Sequence, residues 1–308
     1  MKNKNASRWA FVINPAAGGG KSAKYIRYLR DFKHTLHPEI DLFITKRSGD
    51  ATKICDRLVS GGYRKFVAVG GDGTFNEVIQ SLAKRNDCVL GVFPSGTGND
   101  YAPGAGFPDH YEPWELADLF RCKAEPVDVG VCNGRYFLNN FGVGFDAKVA
   151  HDFQAAKRIP ASLRYWVYVF RNIFCFSPSL LSLTHDGKKE TMKTMLVSVG
   201  IGRRCGGGFQ LTPKALLDDG VFDVCAVTDC APFTRITHLL AVRSKKHIGR
   251  KGIEYFTAKK LTFEFESLMP AHLDGEIVLG KFFDVSVLPG RIKLLIHPER
   301  ENFLRTKR

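Results

Sequence analysis

Two short segments of this 308-residue chain combine glycines with a carboxylate and hydroxyls: Gly70-Gly71-Asp72-Gly73-Thr74 and Ser95-Gly96-Thr97-Gly98-Asn99-Asp100. Backbone N–H groups close on phosphate oxygens where no Cβ stands in the way, so such loops point to a phosphate cradle. Asp72 lies inside the first loop, and a lone carboxylate beside phosphates most naturally faces a divalent cation. A third segment, Asn14-Pro15-Ala16-Ala17-Gly18-Gly19-Gly20-Lys21-Ser22, ends in Gly-Lys-Ser but lacks the glycine spacing of a Walker A loop. It reads as a glycine-rich turn whose Lys21 can meet a phosphate. The plainer reading of Gly70–Thr74 is a strand-to-helix turn with Asp72 or Thr74 as N-cap. That accounts for one polar residue and leaves the second loop unexplained. The chemistry expected is nucleotide handling.

These loops need strands and helices to aim them. Lys65–Val69 precedes the first loop and Cys88–Phe93 the second, both apolar runs of the kind that form buried parallel strands. Arg8–Ile13 is a strand before the Asn14 loop, and a helix follows to about Thr35. Ile40–Thr45 is another strand; a helix opening at Asp50 groups Ile54, Leu58 and Val59 and stops at Gly61-Gly62. Phe75–Leu82 is helical, which places the first loop at a helix N-terminus, where the dipole favours anions. This alternation predicts a doubly wound, Rossmann-like parallel sheet over residues 1–126, with ligands beyond the carboxyl ends of its strands.

From Val127 the texture changes. Asp128–Asn139 predicts a hairpin turning at Asn133-Gly134. Strands at Met195–Ile201, Phe222–Val227, Lys260–Phe265 and Phe282–Leu288 predict an antiparallel β-sandwich or barrel-like domain over 127–296. The tail, 297–308, is expected to pack back on the first domain. One helix, Pro160–Phe176, interrupts the strands, with Ile159, Leu163, Val167, Phe170 and Phe174 on one stripe. It is read as a helix packed on the sandwich. The alternative is an aromatic, membrane-touching face flanked by Lys157, Arg158, Arg164 and Arg171.

Composition bounds the rest. Hydrophobic residues make up 44% and charged residues 25%, the balance of an ordinary soluble globular protein. The 8 cysteines include no Cys-x-x-Cys pair and mostly fall in apolar runs, so they read as small core residues of a reducing compartment. No apolar stretch approaches the ~18 residues that span a bilayer. The expectation is a cytoplasmic protein or one attached peripherally to the cytoplasmic membrane. A net charge of +14 fits a solvated surface, nucleic acid or an anionic membrane. No recognition motif with interleaved aromatics supports nucleic acid.

The three glycine loops, together with the late Leu273-Asp274-Gly275-Glu276, resemble the diacylglycerol kinase catalytic-domain family. The similarity is greatest to the bacterial soluble lipid kinases of the diacylglycerol kinase and YegS-like type, and it runs in order over nearly the whole chain. The resemblance implies ATP and Mg²⁺ as cofactors, with ATP between the domains. It would be contacted by Asn14, Pro15, Ala16, Ala17 and Gly18, by Thr45, by Gly71, Asp72, Gly73, Thr74, Asn76 and Glu77, and by Thr97. Lys21 would neutralise phosphate charge, and Gly70, Ser95, Gly96, Gly98, Asn99 and Asp100 complete the cradle. The family's Asp-Gly-x-x-Asp-Val segment implies a structural magnesium on the carbonyls of Leu216 and Val221 and the carboxylate of Asp219. Read alone, Asp218-Asp219-Gly220 is a hairpin turn.

Glu276 matches the family's general base, which accepts the proton of a lipid hydroxyl as its oxygen attacks the γ-phosphorus. Asp274 shares a sheet face with Glu276 if the segment is extended, either assisting it or shaping the turn. Asp128 corresponds to an aspartate near the active cleft, completing a catalytic set of Glu276, Asp72 and Asp128. All nine histidines read as surface or structural. The implied function is an ATP-dependent lipid kinase acting on diacylglycerol or a related membrane lipid. It would dock on an anionic membrane, bind no nucleic acid, and pair as a homodimer through edge strands. The alternatives are a soluble small-molecule kinase of the NAD kinase type and a non-catalytic nucleotide-binding protein.

Overall fold

A computed structural model describes residues 5–35, 39–109, 112–155 and 161–300. The chain forms two units: Met1–Val129 with Leu217–Asp219 and Leu288–Arg308, and Gly130–Leu216 with Gly220–Val287.

In the first unit, apolar runs become strands buried on both faces. β1 (Trp9–Ile13), α1 (Ala23–Thr35), β2 (Ile40–Ile44), α2 (Asp50–Ser60), β3 (Lys65–Gly70), α3 (Asp72–Leu82) and β4 (Val89–Pro94) follow in order. The strands pair in parallel as β2-β1-β3-β4. Ala10–Ile13 and Phe66–Val69 are almost wholly inaccessible, which is why these runs carry no polar alternation. α1 buries Tyr25, Leu29 and Phe32 at i, i+4 and i+7. The inward residues of α2 are Ala51, Cys55 and Leu58. Of the expected Ile54, Leu58 and Val59, only Leu58 is buried; the other two lie half-buried at the flanks. α3 starts at Asp72 rather than Phe75, because the extended Gly71 serves as its N-cap and Asp72 suits the positive end of the helix dipole. The described part of the tail packs against this unit: the His297 N–H donates to Ala105 O at 3.0 Å, and its ring meets Phe107 edge-on. Residues 301–308 lie outside the described residues.

One ion cluster fastens the first strands. Asp41 on β2 accepts hydrogen bonds from Arg8, from Tyr63 Oη at 2.8 Å and from Lys33 Nζ at 3.1 Å. Chiefly through Arg8, these hold the Asp41 carboxyl well below its ordinary value of 3.8, against the opposing effect of burial. A carboxyl with a depressed folded pKa stabilises the fold above its unfolded pKa and loses that contribution as pH falls through the folded one. Asp41→Asn is therefore expected to cost about 1–2 kcal/mol at neutral pH. Urea denaturation across pH should show the gap from wild type closing once the pH drops below the ordinary carboxylate range.

The second unit is antiparallel. β5 (Lys123–Cys132) enters it and pairs with β6 (Arg135–Phe137) across Asn133 and Gly134, whose φ values of +47° and +82° are those of the expected tight turn. Next come β7 (Asn140–Gly144), α4 (Phe145–Ala155), α5 (Ala161–Cys175), β8 (Ser179–His185), β9 (Lys188–Gly200), β10 (Phe222–Thr228), α6 (Pro232–Arg243), β11 (Ile253–Ala258), β12 (Lys260–Leu273) and β13 (Glu276–Ile296). The pairing order is β11-β10-β9-β7-β12-β13. β8 pairs with the first halves of β9 and β12, and β7 with their second halves. A register shift interrupts β12 between Glu264 and Met269. Phe141 packs on Phe263 and Phe283, and Phe137 stacks on Phe222. The C-terminal end of β13 belongs to the first unit, where it runs parallel to β4.

The sequence predicts one helix in this half; among the described residues there are three. α4 follows β7 with no intervening loop, and α6 opens on Pro232, a residue suited to the first turn of a helix. The helices cover a second apolar cluster that includes Phe145, Val149, Val169, Ile173, Leu196 and Val227. α5 packs through Val169, Asn172 and Ile173, with Phe176 buried just past its end, while Val167, Phe170, Arg171 and Phe174 are exposed. The described part of the stripe expected to meet the sandwich therefore points outward. Lys157, Arg158, Ile159 and Pro160 lie outside the described residues, as do the side chains of Leu163 and Arg164. Buried Arg235 of α6 donates from Nη1 to the carbonyls of Ile173 and Phe176, both at 2.9 Å, and so fastens the end of α5. All eight cysteines are free thiols, with Cys55, Cys88, Cys132 and Cys225 buried. Among the described residues no helix is long and apolar enough to cross a membrane.

Candidate functional site

Three loops leave the carboxyl ends of β1, β3 and β4, and hydrogen bonds join each to the others. The Asn14 N–H donates to Val69 O at 2.9 Å, and its Nδ2 to Thr74 Oγ1 at 3.1 Å. Its Oδ1 accepts the Ala16 N–H at 3.1 Å, the local turn that asparagine favours. The Ser95 N–H donates to Gly70 O at 2.8 Å, and Ser22 Oγ meets Ser95 Oγ at 2.7 Å. Thr45, buried at the end of β2, donates from N and Oγ1 to Ile13 O. Asn99, at φ +53°, accepts the Gly96 N–H at 2.9 Å and donates to Asp109 O at 2.6 Å.

Asp72 ties the two central loops together. Its Oδ2 accepts the Asp100 N–H at 3.1 Å and its Oδ1 the Tyr101 N–H at 3.2 Å. These two amides fix the orientation of the Asp72 carboxylate at the carboxyl edge of the sheet. The N-terminus of α3 has no side-chain cap, so its first-turn N–H groups suit an anion between the glycine loops. That observation is the fit of this edge to a nucleotide phosphate.

The glycines have a reason beyond the one read from the sequence. A Cβ on Gly96 would stand 2.4 Å from Gly71 Cα, one on Gly18 2.5 Å from Ser95 O, and one on Gly70 2.3 Å from Thr74 Oγ1. At Gly96 and Gly18 loop meets loop, and at Gly70 the first loop folds back on its own Thr74. Room for a ligand lies instead at Gly19 and Gly20, where a Cβ would meet nothing within 4 Å, and along exposed Thr97 and Gly98. Lys21 is exposed, and its N–H closes the Ala17–Gly20 turn on Ala17 O. Pro15 and Ala17 are half-buried beside it and Ala16 is exposed; Gly73 lies in the first turn of α3.

Two residues expected at the nucleotide also make contacts within the scaffold. Glu77 accepts the Gly49 N–H at 2.8 Å and the Ala51 N–H at 3.1 Å, capping α2. Asn76 is buried and accepts Gln80 Nε2 at 3.3 Å.

Asp128, almost wholly buried, donates its N–H to Leu217 O at 2.7 Å and accepts the Gly290 N–H on Oδ1 at 2.8 Å. Asp218 pairs with Arg300 at 3.4 Å. Of the expected magnesium ligands, Asp219 belongs to the first unit and Leu216 and Val221 to the second. Among the described residues no group of three or more His, Cys, Asp or Glu is placed to hold a metal ion. A set of one carboxylate and two carbonyls does not require such a group, and a hard carboxylate oxygen before Gly220, at φ +75°, suits Mg²⁺.

In the second unit, Glu276 opens β13 and is exposed, paired with Leu273 across the two-residue turn Asp274-Gly275. Asp274 at φ +50° and Gly275 at +88° form the turn itself, so Asp274 and Glu276 do not share a strand face as the extended reading expected. Asp274 shapes the turn: Oδ2 accepts the Leu138 N–H at 2.8 Å, and Oδ1 accepts the N–H groups of Asn139 and Asn140 at 2.9 Å. Asp274→Ala would strip three amides of their acceptor. A loss of about 2–4 kcal/mol is expected, read as a lower melting temperature, with nucleotide affinity kept.

His272, read from the sequence as surface or structural, is buried, and the sequence did not show which partner it holds. Its Nε2 lies 3.3 Å from Asp146 Oδ2, and its Nδ1 faces the Gly275 N–H at 3.4 Å. The pair lies above Gly142, where a Cβ would come within 2.3 Å of both. Only the His272-x-Asp274 spacing beside the turn could have signalled it.

Comparison with known proteins agrees with this architecture. Residues 8–132 match the diacylglycerol kinase catalytic domain, and residues 139–296 match the YegS C-terminal NAD kinase beta sandwich-like domain. The diacylglycerol kinase of Bacillus subtilis is 30% identical over 87% of this chain and 89% of its own length. A Pseudomonas aeruginosa protein named probable lipid kinase YegS-like is 31% identical over 86% and 89%. The crystal structure of a candidate diacylglycerol kinase from Bacillus anthracis str. Sterne superposes with a TM-score of 0.78 at 27% identity, covering 94% of this chain and 97% of that one. Fold and loops thus define a kinase built from a parallel-sheet unit and an antiparallel one. The chain belongs to the diacylglycerol kinase catalytic-domain family, in its bacterial YegS-like group.

Proposed function

We propose that this protein transfers the γ-phosphoryl group of ATP to a hydroxyl of a membrane lipid, diacylglycerol or a close relative. The observation that carries the reading is the interlocked edge of Asn14, Gly70–Thr74 and Ser95–Asp100 around the start of α3, which carries no side-chain cap. Phosphoryl transfer needs positioning and charge neutralisation more than covalent help, and backbone amides, Lys21 and Asp72 supply both in kind. Mg²⁺, when bound, would screen phosphate charge and, at Leu216, Asp219 and Val221, brace the turn. Glu276 accepts the acceptor hydroxyl's proton. Asp128 holds the backbones of Gly290 and Leu217 in register.

A lipid acceptor is favoured over a soluble one by the relatives. Several that align along most of their own length are named lipid or diacylglycerol kinases. The basic chain would then work peripherally on the cytoplasmic face of an anionic membrane. Labelled ATP incubated with a panel of diacylglycerol, phosphatidylglycerol, a sphingoid base and a polyprenol is the test. One labelled lipid on chromatography is expected. No labelled lipid, with label entering NAD instead, would overturn the reading in favour of a soluble kinase.

A further inference from the structure

We infer that the exposed faces of α5 and α6 are the surface by which this protein lies on an anionic bilayer. The inference rests on the lipid-kinase reading and adds to it the place of contact. On α5, Val167, Phe170, Arg171 and Phe174 recur at i, i+3, i+4 and i+7, and the two phenylalanines are 52% and 56% exposed. On adjacent α6, Phe233 is 77% and Leu240 61% exposed, one above the other at i and i+7. Scattered apolar residues on a surface need no explanation, but large side chains repeated on two packed helices do. The inner faces of both helices are already used, by Val169, Ile173 and Phe176 on one and Ala241 and Val242 on the other.

Charge selects the occupant. Neither helix sequence contains Asp or Glu, whereas α5 presents exposed Arg171 and α6 ends on exposed Arg243; buried Arg235 adds no surface charge. Arg250 adds a guanidinium beside α6 by donating to Thr237 O at 3.3 Å. The carboxylates that reach these helices are already matched: Asp152 by Lys148 and Arg171, and Asp229 by Lys193 and Arg235. A second copy of the chain would bring like charge against like across a two-fold contact, so self-association there is disfavoured. Phenylalanines interleaved with arginines, without carboxylates, match an interfacial helix on anionic lipid. Arg235, by fixing the end of α5 to α6, keeps both helices in one platform.

The test uses the full chain and vesicles of phosphatidylcholine with or without phosphatidylglycerol, separated by sedimentation at low and high salt. Wild type is expected to bind the phosphatidylglycerol vesicles, more weakly as salt rises. Phe170→Ser with Phe174→Ser, and separately Phe233→Ser with Leu240→Ser, should each weaken binding by on the order of ten-fold or more. Arg171→Glu should weaken it at low salt above all. Unchanged melting temperatures and unchanged phosphorylation of a detergent-dispersed short-chain diacylglycerol would show that the variants are folded and competent. Variants that bind vesicles like wild type, a wild type that binds none, or variants altered only in self-association would each overturn the inference. Wild type that phosphorylates no lipid yet loses vesicle binding in these variants would leave the surface standing and remove the kinase reading.

Discussion

Glu276→Gln is expected to slow phosphoryl transfer by roughly 10²–10⁴-fold, with ATP affinity nearly unchanged. The substitution keeps the shape of the side chain and removes its ability to take a proton. Glu276 is the first residue beyond a two-residue turn whose conformation is set by Asp274, Gly275 and three amides of 138–140. The carboxylate itself is exposed, so its replacement should leave the fold intact. Single-turnover kinetics with labelled ATP separate the chemical step from binding. A fall in kcat with an unchanged nucleotide Kd supports the base; a variant that keeps most of its rate removes Glu276 from that role. Asp274→Ala supplies the contrast, because it disturbs the turn and lowers stability as well.

Gly96→Ala should be nearly as damaging, for a different reason. The added methyl would stand 2.4 Å from Gly71 Cα and 3.1 Å from Gly71 N, where only backbone could give way. A loss of about 2–4 kcal/mol is expected, together with weakened ATP binding, measured by thermal denaturation and calorimetric titration. Gly19→Ala is the control. There a Cβ meets nothing, and only the positive φ of +70° is strained, at a cost of about 1 kcal/mol. Gly96 itself is not at a positive φ, so damage at 96 no greater than at 19 would mean that the approach of the two loops is not what requires its glycine.

The parallel unit was legible because its strands are uninterrupted apolar runs with turn residues at their ends. Ala10–Ile13 and Phe66–Val69 need no other information. In the antiparallel unit the signals blur. β7 reads Asn-Phe-Gly-Val-Gly, two glycines in five residues, which looks like loop until its neighbours β9 and β12 supply partners. α5 is rich in aromatic and aliphatic residues, and periodicity singled out the stripe of Val167, Phe170 and Phe174 as the packed one. Packing against α4, α6 and the sheet chose Val169, Ile173 and Phe176. The loop residues of the site were visible as types, whereas at Asp274 the sequence left open whether it assists Glu276 or shapes the turn, and the three amides of 138–140 decide for the turn. The near contact of Gly71 with Gly96 was not, since it joins strands far apart in the chain. The same holds for Glu77, whose partner amides at 49 and 51 belong to another helix.

Asp72 accepts two amides from the second loop, Asn14 donates to the first, and Ser22 meets the start of the second. Such an edge behaves as a latch with several pins rather than as three separate contacts. Once one pin is drawn, the others have less left to hold, so losses at Asn14, Asp72 and Ser95 should combine to less than their sum. Natural variation at this edge would therefore be tolerated least for its first change and more readily for those that follow.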